Sequence, residues 1–304
     1  MKPIIGITIG DINGIGPEIA LKTLNKAFIE NSESIPVLIS PKNILSYYLD
    51  ALDLAQDINV VLRISDVKQD VINVLPISME FQNFYPGQIS KESGKIAMQS
   101  IEKSIQLALD KEIHAIVTLP ISKESVNLAG YKIPGHTEFL ADKTNTDEFL
   151  MILVNNDLRV SLVTTHIPIS NVAASISEEL IIKKAELLNE SLRKDFGIKN
   201  PSIAIFGLNP HAGDGGVIGE EELEIIIPAI KKLNKMGVNA EGPFPADGFF
   251  GQKLHTQFDG ILAMYHDQGL APFKLLSFGS GINFTAGLPI IRTSPDHGTA
   301  FNIV

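Results

Sequence analysis

The sequence predicts an α/β protein with a largely parallel sheet, and three observations carry that reading. Short apolar β-type runs alternate with longer amphipathic helical patterns along almost the whole chain. Two of the helical patterns stop at a glycine, which suits the residue that closes a helix. Three of the β-type runs end on a histidine, in "RVSLVTTH", "IAIFGLNPH" and "GILAMYH". Ligands of open α/β sheets bind outside the carboxyl ends of strands, so these histidines stand where chemistry is expected.

In chain order, the first strand runs from Ile4 to Ile9 and leads through a glycine-rich turn to a helix with Pro17 in its first turn. Glycines at 10, 14 and 16 do not make G-x-G-x-x-G, and Asp11 and Glu18 would oppose a phosphate at that helix end. A tight strand-to-helix turn is expected there. Pro36 to Ile39 gives a second strand, and Ser65 to Glu92 reads as hairpins or loops. "GQISKESGK" is not a phosphate loop, because six residues separate Gly87 from Gly94 and Ile96 stands where Ser or Thr is required. Gly94 to Leu109 has helical spacing and Ala115 to Leu119 is a strand. Strands follow at Val160 to Thr165, Ile203 to Leu208 and Gly260 to Met264. Between them lie helices from Glu178 to Phe196, stopped by Gly197, and from Glu220 to Met236, stopped by Gly237.

A chain of 304 residues divides by size into about two domains. Apolar residues make up 44% and charged residues 20%, ordinary globular usage, and no apolar run reaches the roughly 18 residues of a membrane helix. The start, MKPIIGITIGD, lacks the pattern of a secretory signal, so a cytoplasmic protein is expected, with no membrane partner. Cysteine is absent, which excludes disulfides, thiolate metal sites and cysteine nucleophiles; any metal must be held by His, Asp or Glu. The net charge of -10 argues against nucleic acid as a partner, since its binding depends on neutralising phosphates. A small anion remains open to a few locally placed cations.

His166, His211 and His266 close the three β-type runs. Three imidazoles without a fourth protein ligand would leave a divalent metal an open position, as in catalytic sites. A single histidine at a strand end is more often a hydrogen-bonded structural residue, and three of the seven in one topological role bring the ligand reading level with it. Asp267 is a turn residue or an outer partner of such a metal. His136 and Thr137, after a Pro-Gly turn, are either a base and a hydroxyl that hold substrate or, for Thr137, a helix cap with Glu138 in the first turn. Lys274, Asn283 and Arg292, close in sequence to His266, could donate to a phosphate or carboxylate. "NPHAGDGGVIGEEE" reads as a mobile loop leading into a helix.

"GHTEF" at 135 to 139, "TTHIP" at 164 to 168, "GLNPHAGDGG" at 207 to 216, "YHDQGLAPFK" at 265 to 274 and "GLPIIRTSPDHGTA" at 287 to 300 together resemble the 4-hydroxythreonine-4-phosphate dehydrogenase family, from the first strand to the end of the chain. The resemblance implies a two-lobed α/β/α fold like that of isocitrate and isopropylmalate dehydrogenases, with a central cleft. The lobes would be 1–136 plus 286–304, and 137–285 with the dimer interface. It implies NAD or NADP bound without a Rossmann fingerprint, at residues that the motifs leave unassigned. A divalent metal (zinc, cobalt or magnesium) would sit at His166, His211 and His266, with His266 supplied by the second subunit of a homodimer. His136 and Thr137 and, across the dimer, Lys274, Asn283 and Arg292 would bind the substrate, a small phosphorylated hydroxy amino acid. The reaction implied is oxidation of 4-phosphooxy-L-threonine and decarboxylation of the product, in vitamin B6 biosynthesis. His136 and Asp247 are both candidates for the base. The first turn, "GDINGIG", departs from the Glu-Pro-Ala version of many relatives, and relatives continue into a helical segment beyond "HGTAFN". The rival readings are a dehydrogenase of phosphorylated threonate or erythronate, a metal-dependent hydrolase, and a non-catalytic phosphate-binding protein.

Overall fold

The computed structural model describes residues 2–77, 85–133 and 135–304. Its strands are β1 Ile4–Thr8, β2 Ile35–Ile39, β3 Ile58–Val60, β4 Ile72–Leu75, β5 Ala115–Thr118, β6 Leu150–Asn155, β7 Leu158–Leu162, β8 Ser202–Phe206, β9 Asn239–Phe244, β10 Gly260–Ala263, β11 Ile282–Ala286 and β12 Ile291–Pro295. The α-helices are α1 Gly16–Thr23, α2 Lys26–Asn31, α3 Lys42–Ala51, α4 Lys91–Leu109, α5 Lys123–Leu128, α6 His136–Lys143, α7 Val172–Ser175, α8 Glu178–Lys194, α9 Ile227–Lys235, α10 Ala246–Gly251 and α11 His266–Ser277. Two compact units divide the chain: Met1–Asp147 with Leu288–Val304, and Glu148–Gly287. The division falls after Asp147, so α6, with both His136 and Thr137, belongs to the first unit.

In the first unit the strands lie in the order β3-β4-β2-β1-β5-β12, every pairing parallel. β2 is buried at every residue, as a parallel strand covered on both faces requires. The stretch from Ser65 to Glu92, expected as hairpins or loops, contains β4, parallel to both β2 and β3; residues 78–84 lie outside the described residues. The pattern was obscured by Asn73, a fully buried amide in the middle of β4. Its Oδ1 accepts from Asn59 Nδ2 and the Lys68 N–H, both at 2.9 Å, and its Nδ2 donates to the Lys68 carbonyl at 2.8 Å. A satisfied buried amide ties the loop before β4 to the sheet.

In the second unit the order is β11-β6-β7-β10-β8-β9. β6 runs antiparallel to both β11 and β7, and the pairings of β7 with β10, β10 with β8 and β8 with β9 are parallel. Side chains alternate across this sheet with the period of two. Ile203 and Ile205 of β8 join Leu188, Ile226 and Leu262 on one side, while Ala204 and Phe206 join Leu162, Ile261 and Phe273 on the other. The helix expected from Glu220 to Met236 begins with π-helical turns over Glu222–Ile226 before α9. No helix among the described residues is long and apolar enough to cross a membrane.

Gly94 shows why α4 carries a glycine inside its first turns. A Cβ there would run into the backbone carbonyl of Ser125, so the glycine lets α4 lie against α5 and serves packing, not phosphate binding. Gly94→Ala must push α5 away and is expected to cost about 1 to 3 kcal/mol. Chemical denaturation of the purified variant checks this, and an unchanged midpoint would contradict it.

Candidate functional site

The turn after β1 is built from buried polar groups. Asp11 Oδ1 accepts from the Asn13 N–H at 3.0 Å, and Asp11 Oδ2 accepts from Ser93 Oγ at 3.1 Å. Asn13 Nδ2 donates to the Gln88 carbonyl at 2.9 Å and to Ser90 Oγ at 3.2 Å. Burial pushes the Asp11 carboxyl up, against the pull of these hydrogen bonds. The departure "GDINGIG" thus has a structural account: Asp11 and Asn13 fasten this turn to the start of α4 and the segment before it.

At the carboxyl edge of the first unit, β5 and β12 lie side by side with Arg292 opposite Ile116. The Arg292 side chain is buried, and its Nε and Nη2 donate to Thr118 Oγ1 at 3.0 and 2.7 Å. Burial brings its guanidinium down to about 10, and the carboxylate of Glu138 acts the other way. It stays charged at neutral pH. α6 starts at His136 with Gly135 as its cap residue, and no side chain caps it, so Thr137 is free of the capping role that sequence left open. The His136 Nε2 is buried and has no hydrogen-bond partner among the described residues. Burial, with the Arg292 charge second, holds His136 down at about 3, so its ring is neutral in the free protein.

In the second unit, His166 lies just beyond β7 and His266 opens α11 just beyond β10. Their ring centroids are 5.7 Å apart, and both line a pocket of about 290 Å³ with Thr165, Tyr265 and Asp267. His266 Nδ1 and Asp267 Oδ1 are 2.7 Å apart, the carboxylate–imidazole pairing that fixes a ring and leaves Nε2 for a ligand. His211 is exposed and stands in a left-handed turn, His211 at φ 54°, Ala212 at φ 52° and Asp214 at φ 44°. The pocket lining does not include it. Among the described residues no three His, Asp or Glu side chains are grouped to hold a metal within this one chain.

The remaining sequence candidates are placed as follows. Asp247 is exposed in the first turn of α10, a helix seated by Phe249 against Phe206 and Phe244. Lys274 is exposed on α11, and Asn283 on β11 has a buried Oδ1 without a partner among the described residues. Sequence reasoning overlooked Thr118, which seats Arg292, and Gln268, which links strand ends. Thr118 reads simply as a strand former, and Gln268 is hidden in a motif whose histidine draws the eye.

The family described as "Pyridoxal phosphate biosynthetic protein PdxA" matches residues 32–304. The chain belongs to that family. A 4-hydroxythreonine-4-phosphate dehydrogenase of Bacteroides thetaiotaomicron is 44% identical to it, over 98% of this chain and 82% of the relative. A D-threonate 4-phosphate dehydrogenase of Pectobacterium atrosepticum is 38% identical, over 100% of this chain and 93% of the relative. The crystal structure of the Klebsiella pneumoniae 4-hydroxythreonine-4-phosphate dehydrogenase superposes with a TM-score of 0.89 at 37% identity, covering 100% of this chain and 92% of that one. PdxA membership, with relatives named as dehydrogenases, makes the chain an oxidoreductase and agrees with the mixed α/β architecture above.

The neutral His136 has a consequence for stability. Its folded value, about 3, lies below the ordinary 6.5, so between those values the unfolded chain takes up the proton more readily. Its contribution is complete above pH 6.5 and is lost as pH falls toward 3, with a slope of up to about 1.4 kcal/mol per pH unit. Denaturation midpoints across that window should fall less steeply for His136→Gln than for the wild type; parallel profiles would contradict the neutral ring.

Proposed function

We propose that the chain oxidises the C3 hydroxyl of 4-phosphooxy-L-threonine to a ketone, NAD or NADP taking the hydride and one proton being released. The resulting 3-keto acid then loses carbon dioxide to give 3-amino-2-oxopropyl phosphate. The carrying observation is membership of the PdxA family with relatives named 4-hydroxythreonine-4-phosphate dehydrogenase, in a chain whose His166 and His266 stand at neighbouring strand ends, His266 Nδ1 paired with Asp267.

The donor set suits a borderline ion such as zinc or cobalt better than magnesium, which favours oxygen. We assign the ligands as His166 and His211 of one subunit and His266 of the second subunit of a homodimer. Two features support the assignment. Among the described residues one chain alone does not group three ligands, and the second unit exposes large apolar side chains, including Ile169 in the pocket with His166 and His266, and Val217, Ile218, Leu275 and Phe278 elsewhere. A divalent ion there would act as a Lewis acid on the substrate oxygen. His136 Nε2, neutral and without a partner among the described residues, would hydrogen-bond the substrate together with Thr137. Arg292 and Lys274 would hold its anionic groups, and Asn283 Oδ1, without a partner among the described residues, would accept a hydrogen bond from it. A ring held near 3 is a weak proton acceptor at neutral pH, which suits His136 to hydrogen bonding; Asp247 is the other candidate base.

A second substrate is favoured by the Pectobacterium atrosepticum relative, which is named for D-threonate 4-phosphate. The test is formation of reduced nicotinamide by purified protein with added Zn²⁺ or Co²⁺, given 4-phosphooxy-L-threonine beside phosphorylated threonate and erythronate. Turnover of the first substrate is expected, and His211→Ala should lower kcat/KM by more than about a hundredfold. Turnover of the others alone would reassign the substrate. Ester hydrolysis without nicotinamide reduction would replace the reading with a hydrolase, and binding without turnover with a phosphate-binding protein.

A further inference from the structure

Three strand ends of the second unit, those of β7, β10 and β8, are cross-linked by side chains. Thr164, just before His166, directs its N–H and its Oγ1 to the Met264 carbonyl at 3.1 and 2.8 Å. The Met264 N–H in turn donates to Gln268 Oε1 at 2.7 Å, and Gln268 Nε2 donates to the Gly207 carbonyl at 2.6 Å. Beyond Gly207, the Leu208 and Asn209 N–H groups both donate to Glu222 Oε1 at 2.7 Å, and Asn209 Nδ2 donates to Glu222 Oε2 at 2.9 Å. Met264 stands just before the segment that carries His266. Gly207 to Asn209 lead directly into the turn that carries His211.

That turn needs holding. Its left-handed residues include His211, Ala212 and Asp214, none of them glycine, and each is disfavoured by about 1–2 kcal/mol relative to right-handed backbone. Such a conformation persists only where surrounding contacts over-determine it. The Glu222 side chain is 1% exposed and lies under the turn so closely that a Cβ on Gly213 would come within 2.6 Å of its Oε2. A carboxylate this deep is retained against a large desolvation cost, and its three acceptor contacts all go to the segment just before His211.

We infer that Gln268 and Glu222 are positioning residues: Gln268 sets β8's carboxyl end against the His266-bearing end of β10, and Glu222 sets the left-handed turn that presents His211. The frame acts within one chain, whichever subunit's ion each histidine serves. Its link to metal affinity rests on the metal reading proposed above; its link to backbone order does not.

The variants separate the two halves. Gln268→Glu keeps the acceptor for the Met264 N–H but sets a carboxylate oxygen against the Gly207 carbonyl, and Gln268→Leu removes both bonds. Glu222→Gln keeps the acceptor for Leu208 and Asn209 N–H and loses the one for Asn209 Nδ2; Glu222→Leu removes all three. Two readouts are taken on the full chain: hydrogen exchange by mass spectrometry, and Co²⁺ titration followed by ligand-field absorption. Gln268→Glu should speed exchange in 207–216 while leaving 264–268 protected, and both Glu222 variants should speed exchange in 207–216. Co²⁺ affinity should fall by about 10- to 100-fold, as is usual when groups that orient metal ligands are lost. Unchanged exchange in 207–216, or Co²⁺ affinity within twofold of wild type, would overturn the inference. If Glu222→Leu does not fold, Glu222→Gln decides. If the wild type binds no Co²⁺, the metal reading falls, and the exchange comparison still decides whether the frame exists.

Discussion

At the carboxyl edge of a parallel sheet the ladder stops, and the last backbone N–H and C=O groups of each strand still need partners. In the second unit this requirement is met from side chains: Thr164 reaches the Met264 carbonyl, Gln268 joins Met264 to Gly207, and Glu222 takes the N–H groups of Leu208 and Asn209. The consequence is geometric. Strand ends that would otherwise fray are fixed against one another, and the histidines beyond them are carried on rigid ground. An arrangement satisfied by water would leave the same histidines in the same sequence positions with no fixed spacing, and a bound ion would then bear the ordering cost.

The first unit meets the same demand with charge. Asp11 and Asn13 fasten the turn after β1, and Thr118 at the end of β5 accepts two hydrogen bonds from the buried Arg292. Arg292 then acts on its surroundings, since its positive charge adds to burial in keeping the His136 ring unprotonated. A neutral imidazole beside a guanidinium would divide the labour in the proposed site: the cation would attract an anionic group, and the ring would supply a directed hydrogen bond without repelling the cation.

What the sequence made legible follows from how each strand is buried. β1, β2, β5, β8 and β10 are short apolar runs, β2 and β10 buried at every residue and β1 and β5 with one face half-buried, and their composition alone marks them. β11 and β12 escaped notice because "INFTA" and "IRTSP" carry Asn283 and Arg292 inside the strand, where polar side chains break the pattern. β4 was hidden by Asn73, and β9 by the glycine and proline within "NAEGPF". β6, "LMILVN", is apolar enough, but a run of that kind does not distinguish a strand from a buried helix by periodicity. At the site, the strand-end histidines were visible as a repeated ending. The seat of Arg292 on Thr118 was not, because the two are distant in sequence and only the pairing of β5 with β12 brings them together. The left-handed backbone at His211 was equally hidden, since Ala212 and Asp214 give no sequence sign of it.

The acidity of the chain is compatible with an anionic ligand for a reason that net charge conceals. A formal charge of -10 is spread over the molecule, and at physiological ionic strength exposed charges act over only about 8 Å. Arg292 is buried, so its field is screened far less, and the group beside it on α6, His136, adds no competing charge while it is neutral. If an anion binds at that edge as proposed, its selection would rest on one desolvated guanidinium and the hydrogen bonds that hold it in place. Lys274, exposed on α11, contributes a cation of the opposite kind, flexible and solvated, suited to meeting a ligand and not to defining its position.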